Sequence, residues 1–182
     1  MIGRLLVLAL AFTLAGCGGD DDNGSSASED YANSVCGQLS MWVADQRDTV
    51  ASLQDAGLSV TREDLAAAVG DVRDSTQALV EDLRDDDPPD TDAGEQAKGE
   101  LDSLGTTLTE QVDTVEQALD ANTGVVALAS TVTTALSTAT SAVKSTLDEL
   151  QNLDSGELKD AFEDSDDCAM LREVIEDNDS GS

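Results

Sequence analysis

Apolar residues recur at three- and four-residue steps from Tyr31 almost to the C-terminus, and nowhere does the chain alternate with the period of two that a half-buried strand requires. That spacing predicts a first helix over 31–54, in which Val35, Leu39, Trp42, Val43, Val50 and Leu53 share one face, with Gly57 as its stop. Thr61, with Asp64 three residues on, has the form of a capping box and opens a second helix carrying Leu65, Val69, Val72, Thr76, Leu79 and Leu83. The run DDDPPDTD at 85–92 ends it, because two prolines cannot continue a helix and adjacent carboxylates repel. A third helix is expected over 93–121, through Ala97, Leu101, Leu104, Leu108, Val112, Val115 and Leu119.

After the turn Asn122-Thr123-Gly124, a fourth helix over 125–152 carries Val125, Ala129, Val132, Leu136, Ala139, Val143, Leu147 and Leu150. Beyond Asp154 the pattern predicts a turn or two at 158–162 and a last helix, capped by Ser165, that holds Cys168, Leu171, Val174 and Ile175. The fold class is therefore all-α: an antiparallel bundle of four long helices plus a short C-terminal helix, spanning 31–177, with 178–182 as a disordered tail. Gly70, Gly99 and Gly105 each cost their helices about 1 kcal/mol relative to alanine, which points to bending or close helix approach at those positions.

Charge excludes several function classes. Asp and Glu number 39 against 9 Lys and Arg, for a net charge of −30. Phosphate binding needs clustered cations, so nucleic acid is not an expected partner. The chain has no histidine, which removes the commonest general base and metal ligand. It has no phosphate-cradling glycine loop and no calcium loop of EF-hand spacing. Asp85, Asp86, Asp87, Asp90 and Asp92 could hold a divalent cation loosely through hard carboxylate oxygens, but they read first as a solvated loop between helices. A carboxylate pair for glycoside cleavage would want an aromatic sugar platform, and one Trp, one Tyr and two Phe supply little; Trp42 reads as a core residue. No enzyme and no cofactor are expected. The twenty residues 124–143 carry no charge, the length of a membrane span, yet eight are Ser or Thr, which favours a bundle helix.

Residues 1–17 tell a different story. A short basic start, an apolar run over 5–15 and the sequence Leu14-Ala15-Gly16-Cys17 have the form of a cleaved export signal. The pattern resembles the lipobox of bacterial lipoproteins. That resemblance implies removal of 1–16, acylation of the Cys17 thiol and attachment to the outer face of the cell membrane. Residues 17–30, with their run GGDDDNGSSASE, are expected to be a flexible acidic tether, and Asp20 to Asp22 to be simply solvated. The acidic surface would be repelled by anionic headgroups, so the acyl chains must supply the attachment, and two or three of them make it durable. Asp over Glu and Arg over Lys suit a GC-rich genome, and such acidity also fits a halophile.

Three cysteines are present, and acylation would use Cys17. Cys36 and Cys168 remain as an even pair in an exported chain, where oxidation is permitted. In an up-down-up-down bundle the fourth helix ends where the first begins, so the segment after residue 155 passes close to Cys36. A disulfide there would close a loop of about 130 residues, worth about 4–5 kcal/mol in the chain-entropy model. A reactive thiol at Cys168 is disfavoured, because Asp166 and Asp167 repel a thiolate.

The layout over 31–175 is similar to small secreted or lipid-anchored helical proteins of GC-rich bacteria with a cysteine near each end, a likeness that implies a fold and not a role. The expected function is a membrane-anchored, monomeric, non-enzymatic interaction or structural module of the cell envelope that shows an acidic face to a protein or envelope partner. The alternative is a carrier with a lipid or other hydrophobic ligand between its helices, where Ala129, Thr133, Ala139 and Thr140 would leave room.

Overall fold

A computed structural model describes residues 22–121, 124–154 and 156–180, and every regular element among them is helical. The chain order is α1 (Asp22–Ala56), a 3-10 turn (Gly57–Ser59), α2 (Arg62–Asp85), α3 (Asp92–Asp120), α4 (Val125–Gln151), α5 (Glu157–Asp164) and α6 (Asp166–Ser180). The four long helices form the antiparallel bundle that the periodicity predicts. The expected capping box is present, with the Thr61 hydroxyl accepting from the Asp64 amide and the Asp64 carboxylate accepting from the Thr61 amide. Thr91 caps α3 in the simpler way, accepting from the Gly94 amide.

Two boundaries differ from the sequence reading. The stretch 17–30 was expected to be a flexible tether, but α1 already begins at Asp22; residues 17–21 lie outside the described residues. Packing explains the extension, since Ser28 is buried beside α5 and the start of α3, and turns added to an already docked helix carry no nucleation cost. The tail expected over 178–182 is helical through Ser180 for the same reason, as α6 propagates outward from the buried Leu171 and Ile175. The two short pieces expected beyond Asp154 are α5 and α6, and Ser165 starts the second as its position predicts, its hydroxyl accepting from the Cys168 amide.

Burial divides into two clusters along the bundle axis. The larger surrounds Tyr31, Cys36, Leu39, Trp42, Leu104, Leu147, Phe162 and Ile175, and draws on all six helices. There the Tyr31 and Phe162 rings meet edge to face, with centroids 6.1 Å apart. The smaller lies at the opposite end, where Leu65, Val69 and Val72 of α2 meet Val112 and Val115 of α3 and Leu128, Val132 and Leu136 of α4. α1 adds only the half-buried Val50 and Leu53 to it.

Of the three glycines that the pattern marks, Gly105 alone lies against another helix: a Cβ there would meet the Val80 methyls of α2 at 3.4 and 3.5 Å. At Gly70 and Gly99 a Cβ would find open space, so close packing does not account for them. The demanding glycine is one the pattern did not mark. A Cβ at Gly94 would lie 1.9 Å from the Pro89 carbonyl oxygen, so the proline loop can fold over the start of α3 only above a residue without a side chain.

α4 is, among the described residues, the one helix long and apolar enough to cross a membrane, and 33% of its most apolar window is buried. Here it packs along α3 as a bundle helix. Its outward hydroxyls bond back to their own helix, as in Thr134 to the Ser130 carbonyl (2.8 Å), Thr138 to Thr134 (2.9 Å) and Ser141 to Ser137 (2.9 Å). Back-bonding of this kind lets a helix carry many Ser and Thr without leaving their donors unmet.

Candidate functional site

The features that the sequence singles out meet at the end of the bundle where α1 begins. Cys36 and Cys168 are joined in a disulfide, with their Cα atoms 4.9 Å apart and neither residue exposed. Ser165 donates a hydrogen bond to Asn33 Oδ1 (2.7 Å) at the same sequence offset, 132, as the disulfide, so α6 runs parallel to α1 from that point. The bridge therefore fastens the last helix along the first, as cysteine parity and bundle topology predict. Cys17, the proposed acylation site, lies outside the described residues.

The five loop aspartates do not converge. Asp86, at the C-terminus of α2, turns back toward α1, where its Oδ2 accepts from Ser34 Oγ and from Gln38 Nε2, both at 2.9 Å. It is a clamp between the first two helices. Asp85, Asp87, Asp90 and Asp92 are exposed, and among the described residues no group of three or more acidic, histidine or cysteine side chains is placed to hold a metal ion. Tyr31, behind Asp86, is pushed up to about 12 by burial first and then by the negative charges of Asp86 and Asp102. Its phenol stays protonated at neutral pH and offers no base.

Trp42 is a core residue. It is 4% exposed, and its indole N–H donates to Thr76 Oγ1 at 3.2 Å across the α1–α2 interface. One turn further along, Gln46 Nε2 donates to Ser75 Oγ at 3.2 Å. Beside this polar pair, between the two apolar clusters, is a void of about 20 Å³ bordered by Trp42, Val72, Leu108, Val132, Ala135 and Ala139. A single water needs about 10–15 Å³ on this measure, so the void is far smaller than an acyl chain. Of the small residues considered for a carrier seam, Ala139 and Thr140 are buried, Ala129 is half-buried, and Thr133 points to solvent.

No family model, curated protein or solved structure matches this chain.

A strongly charged concavity lies at the disulfide end, between the start of α1 and the two short helices. It is an open hollow of about 680 Å³, and Glu29, Glu157, Asp160, Asp164, Asp166 and Asp167 line it. The one lysine of α5, Lys159, is engaged with Glu163 at 2.5 Å. Sequence reading missed this hollow because its carboxylates come from three helices that only the tertiary fold brings together. What the hollow can do chemically is attract cationic groups over several ångströms, and the signal that could have found it is the acidic density of 157–167.

Proposed function

We propose that this protein is a lipid-anchored, non-enzymatic interaction module of the cell envelope, held at the outer face of the membrane through Cys17 and presenting its acidic bundle to a cationic partner. The observation that carries the reading is the place of the acidic hollow. It lies at the end where α1 begins, and Asp22 is five residues after Cys17. Five residues of chain reach at most about 17 Å, so an acyl group on Cys17 would keep this end near the lipid surface. A net charge of −30 would repel anionic headgroups and neighbouring copies alike, leaving basic segments of other envelope proteins as the natural partners. The chain has no histidine, the commonest general base, which supports a binding role.

The test is intact-mass spectrometry on protein isolated from its membrane, followed by crosslinking at low and high salt. Loss of 1–16 with an added acyl mass, and a partner that crosslinks at low salt but not at high salt, are the expected results. A mature chain that keeps residues 1–16, or a Cys17→Ala variant processed and retained like the parent, would overturn the anchor. The carrier reading would need the two apolar clusters to part and enlarge the 20 Å³ void between them. A non-covalent mass seen only in the native spectrum would favour it.

A further inference from the structure

We propose that the far end of α1, residues 47–56, is a strap that opens and closes on α2 under the control of ionic strength. The first observation is burial. From Tyr31 to Gln46, α1 buries Tyr31, Ala32, Val35, Cys36, Leu39, Trp42, Val43 and Gln46; from Arg47 to Ala56 it buries no residue and contributes only the half-buried Thr49, Val50 and Leu53. α2, α3 and α4 complete the second apolar cluster largely without it. A helical segment that buries so little apolar area has a low cost of local opening.

The second observation is the shape and charge of what lies beneath. An open groove of about 550 Å³ separates the strap from the start of α2, with Leu53 and Val60 at its apolar floor. The charged side chains lining it are Asp48 from the strap and Asp64 and Asp71 from α2, all of one sign. Of the nearby cations, Arg47 precedes Asp48 on the strap and is exposed, Arg62 donates to the Leu119 carbonyl, and Arg73 pairs with Asp74 and Glu116. Like charges across an open groove repel over about 10 Å at 0.1 M salt and about 3 Å at 1 M, so concentrated salt relieves the repulsion. Gly57, at a φ of 49°, provides a residue free of side-chain strain at the pivot between strap and α2. The polar pair of Gln46 with Ser75 marks where the buried part of α1 stops.

The experiment is hydrogen exchange with peptide-level mass readout on the full chain at low salt and in about 1 M NaCl. Amides of 47–56 are expected to exchange on the order of tenfold or more faster than those of 31–46 at low salt, with the gap narrowing in high salt. Asp48→Asn together with Asp71→Asn should narrow the gap at low salt; Asp64 is left in place because it caps α2. Exchange of 47–56 in step with 31–46 would overturn the strap. A gap unaffected by both salt and the double variant would reduce it to ordinary fraying and overturn the ionic control.

Discussion

The two ends of the bundle share four helices but are held by different means. At the disulfide end six helices converge, the buried side chains include the aromatic rings Tyr31 and Phe162, and a covalent bond joins the first helix to the last. At the opposite end three helices supply a smaller core rich in valine, α1 lies across it half-buried, and no cross-link is present among the described residues. A void and two polar contacts, one buried and one part-buried, stand between them. The difference teaches that uniform heptad-like periodicity along a sequence does not imply uniform stability along the folded rod.

The largest effect should come from the staple. Replacing Cys36 and Cys168 together by alanine, or reducing them, is expected to cost about 4–5 kcal/mol in the chain-entropy model, read as a lower denaturant midpoint. An unchanged midpoint would mean that the disulfide end is no more dependent on its bond than the other end. Next come single truncations at the two ends. Phe162→Ala should cost about 3–5 kcal/mol, whereas Leu53→Ala, half-buried on the strap, should cost less than about 1 kcal/mol. Equal losses would erase the distinction.

Glycine substitutions sharpen the comparison at smaller scale. Gly94→Ala should destabilise by about 1–3 kcal/mol through its clash with the Pro89 carbonyl, while Gly70→Ala and Gly99→Ala should each stabilise by up to about 1 kcal/mol. Thermal melts of the three variants decide this. A stabilising Gly94→Ala would show that the proline loop yields.

Much of this fold was legible beforehand. Val35, Leu39, Leu65, Val69, Leu101, Leu104, Val143 and Leu147 are buried where their spacing put them, because a 3.6-residue period records which face of a helix meets its neighbours. Thr61 with Asp64 was readable because a capping box is local. The bridge was readable from parity and topology together. The helix at 22–30 was not, since its residues are polar or small and the burial of Ser28 depends on elements distant in the sequence. Asp86 stood in an acidic run that looked like solvated loop, and nothing local distinguishes a carboxylate that will accept from Ser34 and Gln38 of another helix. The acidic hollow and the strap groove likewise bring together residues from separate helices.

The smallest expected effects are titrations of opposite sign at the two ends. Asp64 is held below the ordinary carboxylate range by its hydrogen bonds with the Thr61 side chain and amide. Its contribution is present at neutral pH and is lost as pH falls through the carboxylate range. Glu149, near the disulfide end, is raised by partial desolvation, then by its hydrogen bond with Glu100 and the charges of Glu100 and Asp148. Its contribution is present in acid and lost as pH rises through its folded value. Glu149→Gln should therefore melt slightly higher than the parent near neutral pH and match it in acid, whereas Asp64→Asn should melt lower near neutral pH. Melting curves across pH for both variants check the signs, and parallel shifts in both would contradict them.

The 132-residue offset of the Cys36–Cys168 bond also sets how the molecule would carry a mechanical load. A pull between a tethered N-terminus and the C-terminus runs through the chain to Cys36, across the sulfurs, and out from Cys168. Everything from Gly37 to Asp167, including three of the four long helices, lies outside that line of tension. Only the first turns of α1 and the length of α6 could be stretched, and the rest of the bundle would ride on the bond unstrained.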